Sequence, residues 1–123
     1  MSPIPRNRKA ALAWRTAFVA LLLVAGWGAL SRQGALELFP FQDKVMHASA
    51  YMVFYTVGWL AYGDRLVSLP LHLSLLAYGM GIEVLQSQTG YRNAEWADLA
   101  ANFAGQCLGN VGIFLYLRHS GKG

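Results

Sequence analysis

Eight residues have side chains suited to proton transfer, charge pairing or directed hydrogen bonding, and they fall in three groups. Asp43, Lys44 and His47 come first, Glu83 and Gln86 second, and Arg92, Asp98 and Asn102 third. A histidine near a carboxylate can move protons. His47 with Glu83 or Asp98 is a candidate acid/base pair, and Arg92 could stabilise developing negative charge. The same residues could instead recognise a ligand. Arg92 offers a bidentate fork and Lys44 a compact point charge for phosphate or carboxylate groups. Glu83, Gln86, Asp98 and Asn102 could orient those cations or hold hydroxyl and amide groups.

Each reading has a competitor. Ser49 and Ser87 lie nearby in sequence but outside any recognised catalytic motif, so an enzyme here would use water as its nucleophile. His47, Glu83 and Asp98 are ligand types for zinc or a harder cation. However, no close ligand pair such as H-E-x-x-H occurs, and no metal is expected. Neither a phosphate-cradling GxxxxGK[ST] loop nor a dinucleotide GxGxxG turn occurs, and no cofactor is expected. On a purely structural reading, Asp43 caps a helix, Glu83 or Asp98 pairs with Lys44 or Arg92, Asn102 bonds between helices, and His47 is a neutral packing residue.

The elements that carry these residues are apolar. The chain has 123 residues, enough for one domain (1–123), and is 55% hydrophobic but only 13% charged. Soluble domains carry about 25% charged residues, and a chain this short has little core in which to hide such an apolar excess. Four stretches approach the roughly 20 residues that cross a bilayer: Ala10–Leu30, Val45–Tyr62, Leu66–Leu85 and Leu99–Leu117. Backbone groups in lipid must be satisfied within each segment, which selects helices. Short links make successive helices antiparallel neighbours. The expected fold is therefore all-α: a polytopic membrane protein with four transmembrane helices in an antiparallel bundle.

The first stretch follows Arg6, Arg8 and Lys9, as a signal peptide would. Gly26-Trp27-Gly28 is a poor cleavage site, and a retained helix is expected. With the N-terminus in the cytoplasm, Arg6, Arg8, Lys9, Arg15, Arg65, Arg118 and Lys122 fall inside, and Arg32, Lys44 and Arg92 outside. That asymmetry obeys the positive-inside rule. It puts both termini in the cytoplasm of a multi-pass protein of the cytoplasmic (inner) membrane, and all eight polar residues near the outer face. The cations are scattered and lack the aromatic-interleaved patch of a nucleic-acid binder. The single Cys107 excludes an intrachain disulfide and reads as a small packing residue.

Helical phase refines the placement. Asp98, Asn102, Gly105 and Gly109 form one stripe, in which Gly105-x-x-x-Gly109 is a close-packing signature. A polar stripe continuous with a small-residue stripe should face protein, so Asp98 and Asn102 are expected inside the bundle. In the loop before the last helix, Tyr91 and Trp96 suit headgroup depth, and Asn93 could cap that helix. His72 reads as a packing or snorkelling residue near the inner end of its span.

In order and spacing, Asp43-Lys44-x-x-His47, Glu83-x-x-Gln86, Arg92, Asp98-x-x-x-Asn102, Gly105 and Gly109 resemble the VanZ-like membrane proteins over residues 43–112. The resemblance implies a small multi-helix membrane domain of the cell envelope, with a family-level link to resistance to the glycopeptide teicoplanin. The expected partners are membrane lipids and a polar or anionic envelope lipid, cell-wall precursor or glycopeptide at the outer leaflet. Two alternatives stand beside recognition: an intramembrane enzyme modifying an envelope lipid by acid/base chemistry, and a structural assembly protein. Oligomeric state is open.

Overall fold

Each apolar run becomes one helix, because prolines and glycines occur where a helix tolerates them. In the computed structural model, which describes residues 7–30, 39–63, 67–88 and 96–121, the helices are α1 (Arg8–Leu30), α2 (Gln42–Tyr62), α3 (Ser68–Ser87) and α4 (Trp96–His119). Pro70 lies in the first turn of α3, where its missing N–H breaks no intrahelical bond. Gly63 ends α2 in the left-handed conformation (φ 54°) and donates its N–H to the Trp59 carbonyl. The described residues contain no strand.

Helices α2 and α4 begin about a turn before the apolar runs that announce them. The run marks where side chains are greasy, whereas the hydrogen-bonded helix continues through Asp43, Lys44 and Asp98. Asp43 is not the cap of α2. That position belongs to Phe41, at φ 66° and without a side-chain cap bond. Asp43 lies in the first turn, where a negative charge still suits the helix N-terminus.

Cross-helix contacts give the directions. Arg15 Nε donates to the Ala61 carbonyl at 3.1 Å, and its guanidinium lies 5.0 Å from the Tyr62 ring centroid. The start of α1 therefore meets the end of α2, where a cation complements the helix dipole. Ser68 bonds Tyr55 and Gly79 abuts Tyr51, so α2 and α3 are antiparallel. His72 bonds Gln106 while Gly79 abuts Asn102, so α3 and α4 are antiparallel too. Successive helices alternate in direction, as expected. The most extensive packing is the parallel pair α2 and α4, which brings their N-terminal ends side by side.

The core is aromatic and centred on α2: Tyr51, Phe54, Tyr55 and Trp59 are buried, with Leu71 and Leu75 from α3 and Phe18 from α1. Large apolar side chains also face outward, among them Leu23, Val24 and Trp27 on α1 and Phe114 and Leu115 on α4. Two helices, α1 and α3, are long and apolar enough to cross a membrane. Helices α2 and α4 are as long, but Asp43, Lys44 and His47 on one and Asp98, Asn102, Gln106 and Asn110 on the other dilute their apolarity.

Candidate functional site

The site starts from a steric permission. A Cβ at Gly105 would overlap the Ala48 carbonyl oxygen, and one at Gly109 would come within 3.1 Å of the Met52 carbonyl oxygen. Glycine at both positions lets α4 lie directly on the α2 backbone. Their first turns then meet. Lys44 Nζ donates to Asp98 Oδ1 at 2.6 Å and lies 3.4 Å from Asp43 Oδ2. His47 Nδ1 bonds Asn102 Oδ1 at 2.8 Å. With an amide oxygen on that side, Nδ1 carries the proton, and the ring directs Nε2 toward the carboxylates. Nε2 is 3.7 Å from both Asp43 Oδ1 and Asp98 Oδ2.

Burial divides the two acids. Asp98 is 2% exposed, whereas half of the Asp43 side chain is in the open. Burial pushes the Asp98 carboxyl above its ordinary value, against the opposing Lys44 bond and His47 charge. For Asp43 the lesser burial also acts upward. The hydrogen bond with Asp98 and the nearby His47 and Lys44 outweigh it and hold that carboxyl down.

A cleft of about 460 Å³ opens beside this cluster, between α1, α2 and α3. Gln42, Asp43, His47 and Gln86 make its polar part, and Ala25, Ala50, Phe54, Tyr78 and Ile82 line its apolar part. Gln86 Nε2 also donates to the Ala29 carbonyl at 2.7 Å, tying α3 to the end of α1. Glu83 is buried one turn from Gly79, beside the Tyr51 phenol. The acid group around His47 is built from Asp43 and Asp98, and Glu83 stands outside it.

Of the residues singled out in the sequence, Asp43, Lys44, His47, Asp98 and Asn102 come together, and Gln86 reaches the adjoining cleft. Asp98 and Asn102 face the interior, and Gly105 and Gly109 pack closely, as their stripe requires. Lys44 pairs with Asp98. Trp96 is exposed, as an interfacial residue would be. Arg92 lies outside the described residues, as do Gly90, Tyr91, Asn93 and Glu95.

Sequence reasoning missed the continuation of the polar seam. Fully buried Gln106 accepts at Oε1 from His72 Nδ1 at 2.8 Å. The Tyr55 hydroxyl donates to Asn110 Oδ1 at 2.9 Å and lies 2.8 Å from Ser68 Oγ. The signal was present as a four-residue repeat, Asp98, Asn102, Gln106, Asn110. His72 is a packing residue, as expected, set against the Tyr55 ring at 4.6 Å between centroids.

Comparisons of the chain with known protein families, with curated proteins and with solved structures give no match.

Proposed function

We propose that this chain is a four-span, VanZ-like protein of the cytoplasmic membrane that binds an amphiphilic envelope molecule at its outer face. The spans run over 45–62 and 99–117 in α2 and α4 and along most of α1 and α3, which leaves Asp43, Lys44 and Asp98 at the rim. The outward-facing Leu23, Val24, Trp27, Phe114 and Leu115 support a lipid surround, because soluble monomers rarely expose apolar patches of this extent. In such a bundle the polar seam of α2 and α4 faces protein, where intramembrane polar groups are tolerated.

The observation that carries the reading is the cleft. Its polar part suits a headgroup with hydrogen-bonding groups, and its apolar part suits the start of a hydrocarbon chain. An envelope lipid, a lipid-linked cell-wall precursor and a lipophilic glycopeptide share that chemistry, and the last would connect with the family's link to teicoplanin. The test is native mass spectrometry of the full chain purified into nanodiscs of defined lipid. We expect one envelope lipid to be retained above its bulk share, and Ala50→Trp, which fills the cleft, to abolish the enrichment. Retention equal to bulk composition, or unchanged in Ala50→Trp, would refute the reading.

An acid/base enzyme is the second reading, favoured by His47 Nε2 facing two carboxylates. Turnover of the retained lipid by wild type, lost in His47→Ala with lipid still bound, would select it.

A further inference from the structure

We propose that Asp43, His47 and Asp98 form a site for a first-row divalent metal ion, of the zinc class, at the α2–α4 junction. One donor atom from each lies within 4.8 Å of the others. The closer geometry is more telling. Nε2 stands 3.7 Å from an oxygen of each aspartate, too far for a hydrogen bond. Metal–donor bonds of about 2.0–2.2 Å put tetrahedral ligand atoms about 3.4 Å apart. Both His47–aspartate separations therefore need to shorten by only about 0.3 Å around an ion, and the two aspartate oxygens, within 4.8 Å of each other, complete the set.

Three features of the surroundings suit a metal. The Asn102 amide holds Nδ1, which fixes the tautomer and ring orientation in the manner of an outer-shell partner. Lys44 does not occupy the same positions. Its ammonium engages Asp98 Oδ1 and Asp43 Oδ2, while the oxygens facing His47 are Asp98 Oδ2 and Asp43 Oδ1. Asp98 is almost wholly buried and aimed into the gap, so one ligand is preset, and half-exposed Asp43 has room to adjust. The imidazole selects zinc-class ions over calcium and magnesium, which prefer all-oxygen shells.

Charge gives the site a purpose. Metal binding requires both acids deprotonated; in that form the two carboxylates against Lys44 carry one negative charge in excess, and a divalent ion turns that excess positive. Asp43 and His47 both line the cleft. The ion's remaining coordination positions therefore face the cleft, where they would take water or an anionic headgroup. The metal inference rests on donor geometry alone, and a cleft without a lipid would leave it intact.

The experiment uses the full chain in zwitterionic nanodiscs after dialysis against a chelator, titrated calorimetrically with Zn²⁺, Mg²⁺ and Ca²⁺. We expect one Zn²⁺ per chain, little binding of the other two, and a thermal transition raised by Zn²⁺. Asp43→Asn, a half-exposed and near-isosteric change that leaves the core untouched, should weaken Zn²⁺ at least tenfold, on the order of the effects seen around metal sites. His119→Ala should leave binding unchanged. Absence of stoichiometric Zn²⁺, equal affinity for Ca²⁺, wild-type affinity in Asp43→Asn, or loss in His119→Ala would each overturn the proposal.

Discussion

Three glycines on α4 differ only in what stands over them, and alanine at each should therefore give three different results. An exposed helical glycine replaced by alanine gains about 0.8–1 kcal/mol of helix propensity. At Gly112 a Cβ meets nothing within 4 Å, so that gain should appear almost whole. At Gly109 the nearest atoms would be 3.1 and 3.2 Å away, a few tenths too close, and the gain should be roughly cancelled. At Gly105 the Cβ would overlap the Ala48 carbonyl oxygen and lie 2.8 and 3.0 Å from that residue's C and Cα atoms. Carbon atoms pack best at about 3.5–4.0 Å. The obstacle is backbone, so no rotamer relieves it and α2 must move off α4 by roughly 1 Å. Overpacking of this kind costs about 1–3 kcal/mol. The expected order of stability is Gly112→Ala, then wild type and Gly109→Ala together, then Gly105→Ala, with about 1–3 kcal/mol between the extremes, because the propensity gain is common to both.

The assay is reversible unfolding in mixed micelles, followed by tryptophan fluorescence. A second readout separates sterics from general instability. The same 1 Å displacement would stretch the His47–Asn102 bond from 2.8 Å past hydrogen-bond range. The ¹⁵N-imidazole signals of His47 should therefore shift in Gly105→Ala and stay fixed in Gly112→Ala. If Gly105→Ala proves as stable as Gly112→Ala, the close approach of α2 and α4 is wrong, and with it the construction of the site.

Two further outcomes follow from the polar seam. Lys44→Met leaves the buried Asp98 carboxylate without this ammonium, and Asp98→Asn takes from Lys44 its closer carboxylate. Because Lys44 is partly exposed, each should cost about 1–3 kcal/mol, short of a fully buried pair. The double variant should lose clearly less than the sum, by about 1 kcal/mol or more in the same unfolding assay, and strict additivity would show that the pair does not interact. Tyr55→Phe removes a hydroxyl bonded to both Ser68 and Asn110 from a fully buried ring. It should cost about 1 kcal/mol, and Asn110→Ala should add little on top of it; a full second loss would separate the two residues.

The helices were legible because long apolar runs, whose one proline (Pro70) falls in a first turn, leave the backbone little choice. Their polar ends were less so, because hydropathy reports the lipid-facing stretch and not the last hydrogen bond. That difference changed the role of Asp43, whose spacing already sets it on the face of His47 but which reads as a cap when the helix is taken to start at Val45. Once the helix starts at Gln42, Asp43 is a first-turn residue directed at the His47 ring. Glu83 is a second case, since Glu83 and Asp98 read as equal candidates for the acid beside His47 and Asp98 is the one there. Nothing in a one-dimensional pattern distinguishes two buried carboxylates on different helices.

The seam on α4 shows how far helical phase can be pushed. Each step of four residues overshoots a full turn by about 40°. Measured from Asp98, Asn102 lies about 40° round the helix, Gln106 about 80° and Asn110 about 120°, while Gly105 and Gly109 stay within about 20° of the starting line. The glycines therefore remain under α2 along the whole contact, and the polar residues turn away from it. Their surroundings follow the rotation: Asp98 and Asn102 bond to Lys44 and His47 of α2, Gln106 bonds to His72 of α3, and Asn110, at the exposed edge, meets α2 through the hydroxyl at the far end of the Tyr55 side chain. Only the first two rungs can serve a site at the α2 N-terminus. The other two hold α3 and the far half of α2 in place, which is why a four-residue repeat of polar side chains contains both the candidate site and its support.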